Sequence, residues 1–150
     1  MFLRILAAAA FTLAAGAAFT LAPGAAQAQV LQLVTADEAK LPAIAATPGT
    51  RAITRGPGVK LATPESVSGT FRLKVEFAPR GGSKIDPASV KVEYLRGSGV
   101  DLTERLKASI NPEGIEVASA QVPAGEHAFR VSVRDSEGRE GKTEFKLTAK

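Results

Sequence analysis

The sequence predicts an all-β, antiparallel sandwich of six or seven strands, and three observations carry that prediction. From residue 59 onward the apolar residues recur with a period of two. The alternating stretches are short and are divided by turns rich in Gly, Pro and Asp. A single segment near residues 101–108 has helical spacing, which is too little for an α/β layout.

Each element follows from local chemistry. A short first strand is expected at residues 59–62. In the next, Phe71, Leu73, Val75 and Phe77 share one face while Thr70, Arg72, Lys74 and Glu76 share the other, the signature of a half-buried strand. Pro79 and Gly81-Gly82 end it. Asp86-Pro87 reads as a tight turn or a single helical turn, with Asp86 as cap and Pro87 in the first position. Val90, Val92 and Tyr94 then line a strand opposite Lys91 and Glu93. Leu102 and Leu106 lie four apart, and Asp101 with Glu104 has capping-box spacing, so a short helical insert is expected here. Asn111-Pro112-Glu113-Gly114 turns into a strand starting at Ile115 and Val117. The last two strands form a hairpin: Phe129, Val131 and Val133 point inward on one, Thr143, Phe145 and Leu147 on the other.

The chain ends with Pro123-Ala124-Gly125-Glu126-His127, an alternating strand to Val133, and the turn Asp135-Ser136-Glu137-Gly138 before a final strand. In this it resembles the bacterial immunoglobulin-like domains of cell-surface and periplasmic proteins. The resemblance covers residues 59–150. It implies an immunoglobulin-like sandwich with a non-catalytic role in binding, spacing or scaffolding, and it carries no functional residue across, because such domains share a scaffold rather than a site. Two features depart from it: the chain has one copy and no internal repeat, and the helical insert is not general to such domains.

Ahead of the sandwich, residues 1–28 have the order of a cleavable secretory signal. Arg4 supplies a positive start, residues 5–22 an apolar, alanine-rich run, and Ala26-Gln27-Ala28 the small residues that a signal peptidase reads. Pro23-Gly24 closes the run short of the ~20 strongly apolar residues that a permanent span needs. With no cysteine for a lipid anchor, no stable membrane anchor is expected after cleavage. Residues 29–57 read as an N-terminal arm or linker, in which Val30-Leu31-Gln32-Leu33-Val34 offers a short strand and Thr35 and Glu38 have capping-box spacing for one brief helix before Pro42. Arg51 and Arg55 lie in its Pro/Gly-rich part. Residues 58–150 form the expected sandwich domain.

Composition excludes more than it supports. The net charge is +4, and removing Arg4 with the leader leaves +3, too little for a nucleic-acid partner. There is no cysteine, so the core alone must hold the domain. His127 is the only histidine, and one histidine can supply only one ligand of a zinc site. No serine sits in a Gly-x-Ser-x-Gly elbow. No enzyme activity, catalytic residue, metal or cofactor is therefore expected, and His127 is read as a structural residue at a strand edge. Asp135, Glu137 and Glu140 lack the regular spacing of a calcium loop and read as turn residues.

One constellation invites a binding role. Alternation places Arg130, Arg134, Lys142 and Lys146 on the outward face of the final hairpin, with Lys91 beside them, a basic face able to meet an anionic envelope polymer. Glu144 and Glu93 interrupt it. The expected function is thus a non-enzymatic, soluble periplasmic binding or accessory module. The alternative is an assembly or adaptor factor that offers its arm or an edge strand to another exported protein. N-terminal sequencing of the protein from a periplasmic fraction should find a chain that begins near Gln29; recovery from the cytoplasm with Met1 intact would contradict export.

Overall fold

The computed structural model describes residues 29–44 and 55–150. The expected signal sequence and Arg51 lie outside the described residues. Two five-stranded sheets face each other as an immunoglobulin-like sandwich. The first holds β1 (Leu31–Gln32), β2 (Gly58–Leu61), β4 (Thr70–Ala78), β7 (Ile110–Asn111) and β8 (Gly114–Gln121). The second has the order β3 (Ser66–Val67), β10 (Glu140–Ala149), β9 (Gly125–Asp135), β5 (Ile85–Tyr94) and β6 (Val100–Asp101). Six strands are four residues or longer, and the other four are two-residue edge pieces. Two of these, β1 on β8 and β3 on β10, pair in parallel, while every other pairing is antiparallel.

The period-two residues fill the space between the sheets. Leu73, Val75 and Phe77 from β4, with Ile115 and Val117 from β8, face Val90, Val92, Tyr94, Phe129, Val131, Val133 and Leu147 from the second sheet. Such burial contributes roughly 1.5–3 kcal/mol for each large apolar side chain, and no disulfide assists it. Near one rim the two sheets touch backbone to backbone. A Cβ on Gly56 would collide with the Glu140 carbonyl, and one on Gly141 with the Pro57 carbonyl, so only glycine permits the approach.

Asp86-Pro87 does not break the chain as expected. Both residues lie inside β5, where the register with β9 shifts between Asp86 and Lys91. The bulge frees Pro87, which has no N–H, from the ladder. Ser89 substitutes for the interrupted backbone pairing: its Oγ accepts from the Arg134 N–H at 2.8 Å and donates to the Asp86 carbonyl at 2.7 Å. The helical insert is present as α2 (Thr103–Leu106) and a 3₁₀ turn (Lys107–Ser109), with Leu102 and Leu106 buried. Its capping box is absent. Asp101 instead accepts the Thr103 N–H at 2.8 Å without a reciprocal bond from Glu104.

The arm expected over residues 29–57 divides. Residues 29–44 belong to the sandwich: β1 pairs with β8, and Leu33 and Val34 are among the most deeply buried side chains of the protein. Helix α1 (Ala36–Ala39) starts in the foreseen capping box, with the Glu38 N–H donating to Thr35 Oγ1 at 3.2 Å and the Thr35 N–H to Glu38 Oε2 at 2.8 Å. Arg105 of α2 then grips the same carboxylate with both terminal nitrogens, at 2.9 and 2.7 Å, and donates to the Leu33 carbonyl at 3.0 Å.

The Arg105 guanidinium, ahead of the Thr35 bonds, lowers the Glu38 pKa from 4.5 to about 2. A carboxyl depressed on folding adds stability above its ordinary pKa and loses it as pH falls through the folded value. Arg105→Leu should therefore cost about 1–2 kcal/mol at neutral pH, since the pair is partly solvated. The difference from wild type should shrink between pH 4.5 and about 2. Urea unfolding across that range measures it; a pH-independent difference would show that the ion pair adds nothing.

Candidate functional site

The outer face of the second sheet carries all five expected basic residues, and its composition follows from strand alternation. On β9 the inward His127, Phe129, Val131 and Val133 alternate with the outward Ala128, Arg130, Ser132 and Arg134. Register then sorts the face into rows across β5, β9 and β10. They read Asp86–Arg134–Glu140, Lys91–Ser132–Lys142 and Glu93–Arg130–Glu144, with Ala128–Lys146 beyond.

The structure brings Arg130, Arg134, Lys142, Lys146 and Lys91 together but does not make their face cationic. Arg130 donates through Nε to Glu144 at 2.9 Å and through a terminal nitrogen to Glu93 at 3.4 Å. Arg134 meets Glu140 at 3.7 Å, and Lys146 meets Glu126 at 2.8 Å. The hydrogen bond that Arg130 donates to Glu144 leads in raising the Arg130 pKa, and the one that Lys146 donates to Glu126 leads in raising Lys146. Asp86, Glu93, Glu126, Glu140 and Glu144 thus interleave with the five cations. Neutralisation by cross-strand acids is the physical reason that the expected basic face fails as a field for polyanions. Lys91 and Lys142 alone form no ion pair among the described residues.

His127 has a different position from the one expected. It lies on β9, between β5 and β10, and is 1% exposed, so it is a core residue and not a strand-edge one. Nε2 lies 2.7 Å from the Pro123 carbonyl, which can only accept, so the proton belongs on Nε2. Nδ1 then accepts from the Tyr94 hydroxyl at 2.8 Å. Burial raises the Tyr94 pKa and keeps the phenol a neutral donor. The rings of His127, Tyr94, Phe129 and Phe145 follow one another in that order at centroid distances of 5.3–5.7 Å.

Asp135 is fully engaged in its turn. Its carboxylate accepts from the Glu137 and Arg139 amides, from Arg139 Nε at 2.8 Å and from Ser83 Oγ at 3.1 Å. Burial alone would raise this carboxyl, but the bonds from Arg139, Ser83 and Glu137 together bring it below its ordinary value. Among the described residues no group of three or more His, Asp or Glu side chains is arranged to hold a metal ion.

Two features of this face were not anticipated. The β5 bulge opens a depression of about 190 Å³ lined by Ser89, Lys91, Ser132 and Arg134 among others. The second is the edge of β10. Its Thr148 and Lys150 amides donate to Glu65 and Val67, and β3 pairs only with Thr148 and Ala149. Alternation directs the N–H and C=O of Lys142, Glu144 and Lys146 to that same side, where no described strand pairs with them.

No protein-family model and no curated protein matches the chain. Among solved structures it is similar to CopC from Methylosinus trichosporium OB3b, with a TM-score of 0.40 and 14% identity over 61% of this chain and 92% of that one. It is also similar to murine CRIg, with a TM-score of 0.39 and 16% identity over 61% of this chain and 96% of that one.

The protein has one tyrosine and no tryptophan, so Tyr94 fluorescence reports on the buried pair directly. His127→Phe should cost roughly 2–4 kcal/mol, because it leaves both the Tyr94 hydroxyl and the Pro123 carbonyl without their partner. Tyr94→Phe should cost less, ~1–2 kcal/mol. A double variant less destabilised than the sum of the two, in denaturant titrations, is the expected outcome; strict additivity would show that the bond contributes nothing.

Proposed function

We propose that the chain is an exported, non-enzymatic adaptor that takes an extended segment of another envelope protein along the Lys142–Lys146 stretch of the β10 edge, with which no described strand pairs. The observation that carries this reading is the unpaired Lys142–Glu144–Lys146 edge beside a long, well-paired strand. An added strand would gain main-chain hydrogen bonds there, and its side chains would read the alternating charges. Export is supported by the leader pattern of residues 1–28, and no described helix is long and apolar enough to cross a membrane. A protein partner fits better than an anionic polymer, because the acids on the face cancel the field that would attract a polyanion.

The test places a photo-crosslinking residue at Glu144, with one at Arg72 on the outer face of the opposite sheet as control. Irradiation of the periplasm should give a defined adduct from Glu144 alone. Lys142→Pro removes the outward N–H without touching the β9 ladder and should abolish the adduct, whereas Lys142→Gln should retain it. Equal labelling from both sites, or an adduct indifferent to proline, would overturn strand addition.

A further inference from the structure

We infer that the Lys91–Ser132–Lys142 row is a binding site for a small oxyanion, of the carboxylate or phosphate class. Every other cation of this face has a carboxylate within 3.7 Å. The rows on either side of this one read acid–Arg–acid, yet here serine stands between two lysines. Like charges sharing a row repel, and a surface that served charge balance alone would carry an acid at position 132.

The geometry suits a shared ligand. Adjacent strands are ~4.8 Å apart, so the two lysine Cα atoms lie about 10 Å apart with Ser132 midway. Both ammonium groups can converge above the serine from flexible stems, acting as point charges on a phosphate or carboxylate. The Ser132 hydroxyl has no hydrogen-bond partner among the described residues and can donate into the same space. The β5 bulge supplies room on the Lys91 side of the serine, where a depression of about 190 Å³ has Lys91, Ser132 and Arg134 in its wall, and Lys142 lies across Ser132 from it. Two acids are near. Glu140 also lines the depression but faces Arg134, and Asp101 feels Lys91 while accepting from Thr103.

The site rests on the cross-strand rows alone and does not require strand addition at β10. Inorganic phosphate, and separately acetate, is titrated into the mature protein at constant ionic strength while backbone amide chemical shifts are followed. The expected result is a saturable response confined to residues around Lys91, Ser132 and Lys142, with phosphate binding tighter than acetate. Lys91→Gln and Lys142→Gln should each weaken binding about fivefold, as expected for losing one modest ion pair. Lys74→Gln, on β4 of the opposite sheet, should leave it unchanged. Non-saturable shifts, or equal weakening by all three variants, would reduce the row to ordinary screening and overturn the inference. The crosslinking result can fail while phosphate binding succeeds, and the reverse also holds, so the two readings are separable: Lys142→Gln weakens phosphate binding and spares the crosslinked adduct.

Discussion

The grip of Arg105 on Glu38 is the contact through which the two ends of the fold depend on each other. Glu38 completes the box that starts α1, and α1 follows directly on Leu33 and Val34. Arg105 projects from α2, whose flanking Leu102 and Leu106 pack into the same core. One guanidinium therefore ties the first described segment to the helical insert while satisfying the Leu33 carbonyl at the point where the chain enters the core. In a chain without cysteine, closure of this kind takes the part that a covalent link plays in many small exported domains. It also changes what the N-terminal segment can do. A piece that supplies two fully buried side chains to the core is not free to leave and meet a partner.

Two buried polar clusters fix what apolar packing leaves loose. A sandwich of Val, Leu and Phe tolerates register errors unless something specific opposes them. The Tyr94–His127 bond spans adjacent strands of one sheet, and a slip by one residue would turn either group toward solvent. Asp135 does the same at the hairpin end, joining the β9–β10 turn to Ser83 ahead of β5. Both clusters are fully satisfied, the condition under which buried polar groups add specificity instead of cost.

What the sequence made legible was whatever depends on near neighbours. The period of two in β4, β9 and β10, the Thr35–Glu38 box, the Leu102–Leu106 pair and the Asp135–Gly138 turn are each encoded within a few residues. What stayed hidden depends on pairing across the chain. A short strand at residues 30–34 is legible, but that it pairs with β8 and buries Leu33 and Val34 in the core is not. Asp86-Pro87 carries turn chemistry, and only Ser89 bridging to Arg134 shows how a strand absorbs it. Glu93 and Glu144 are legible as interruptions of the basic face, but that Arg130 bonds both depends on partners 37 and 14 residues away. The absence of a second histidine was visible; that the one present would be buried against the one tyrosine was not.

The charge rows decide which kind of recognition this face can support. Where every cation has its own acid, the surface has little long-range field, and attraction to a polyanion decays within a Debye length of ~8 Å. Such a face discriminates at contact, by which row an incoming group enters and which sign it meets there. The exceptions therefore matter more than the total charge. The β10 edge offers backbone groups, the Lys91–Ser132–Lys142 row offers two cations that form no ion pair among the described residues, and Lys142 belongs to both. An extended segment laid along β10 with an acidic residue opposite Lys142 would place its carboxylate at the end of that row, so strand pairing and anion binding would select the same register.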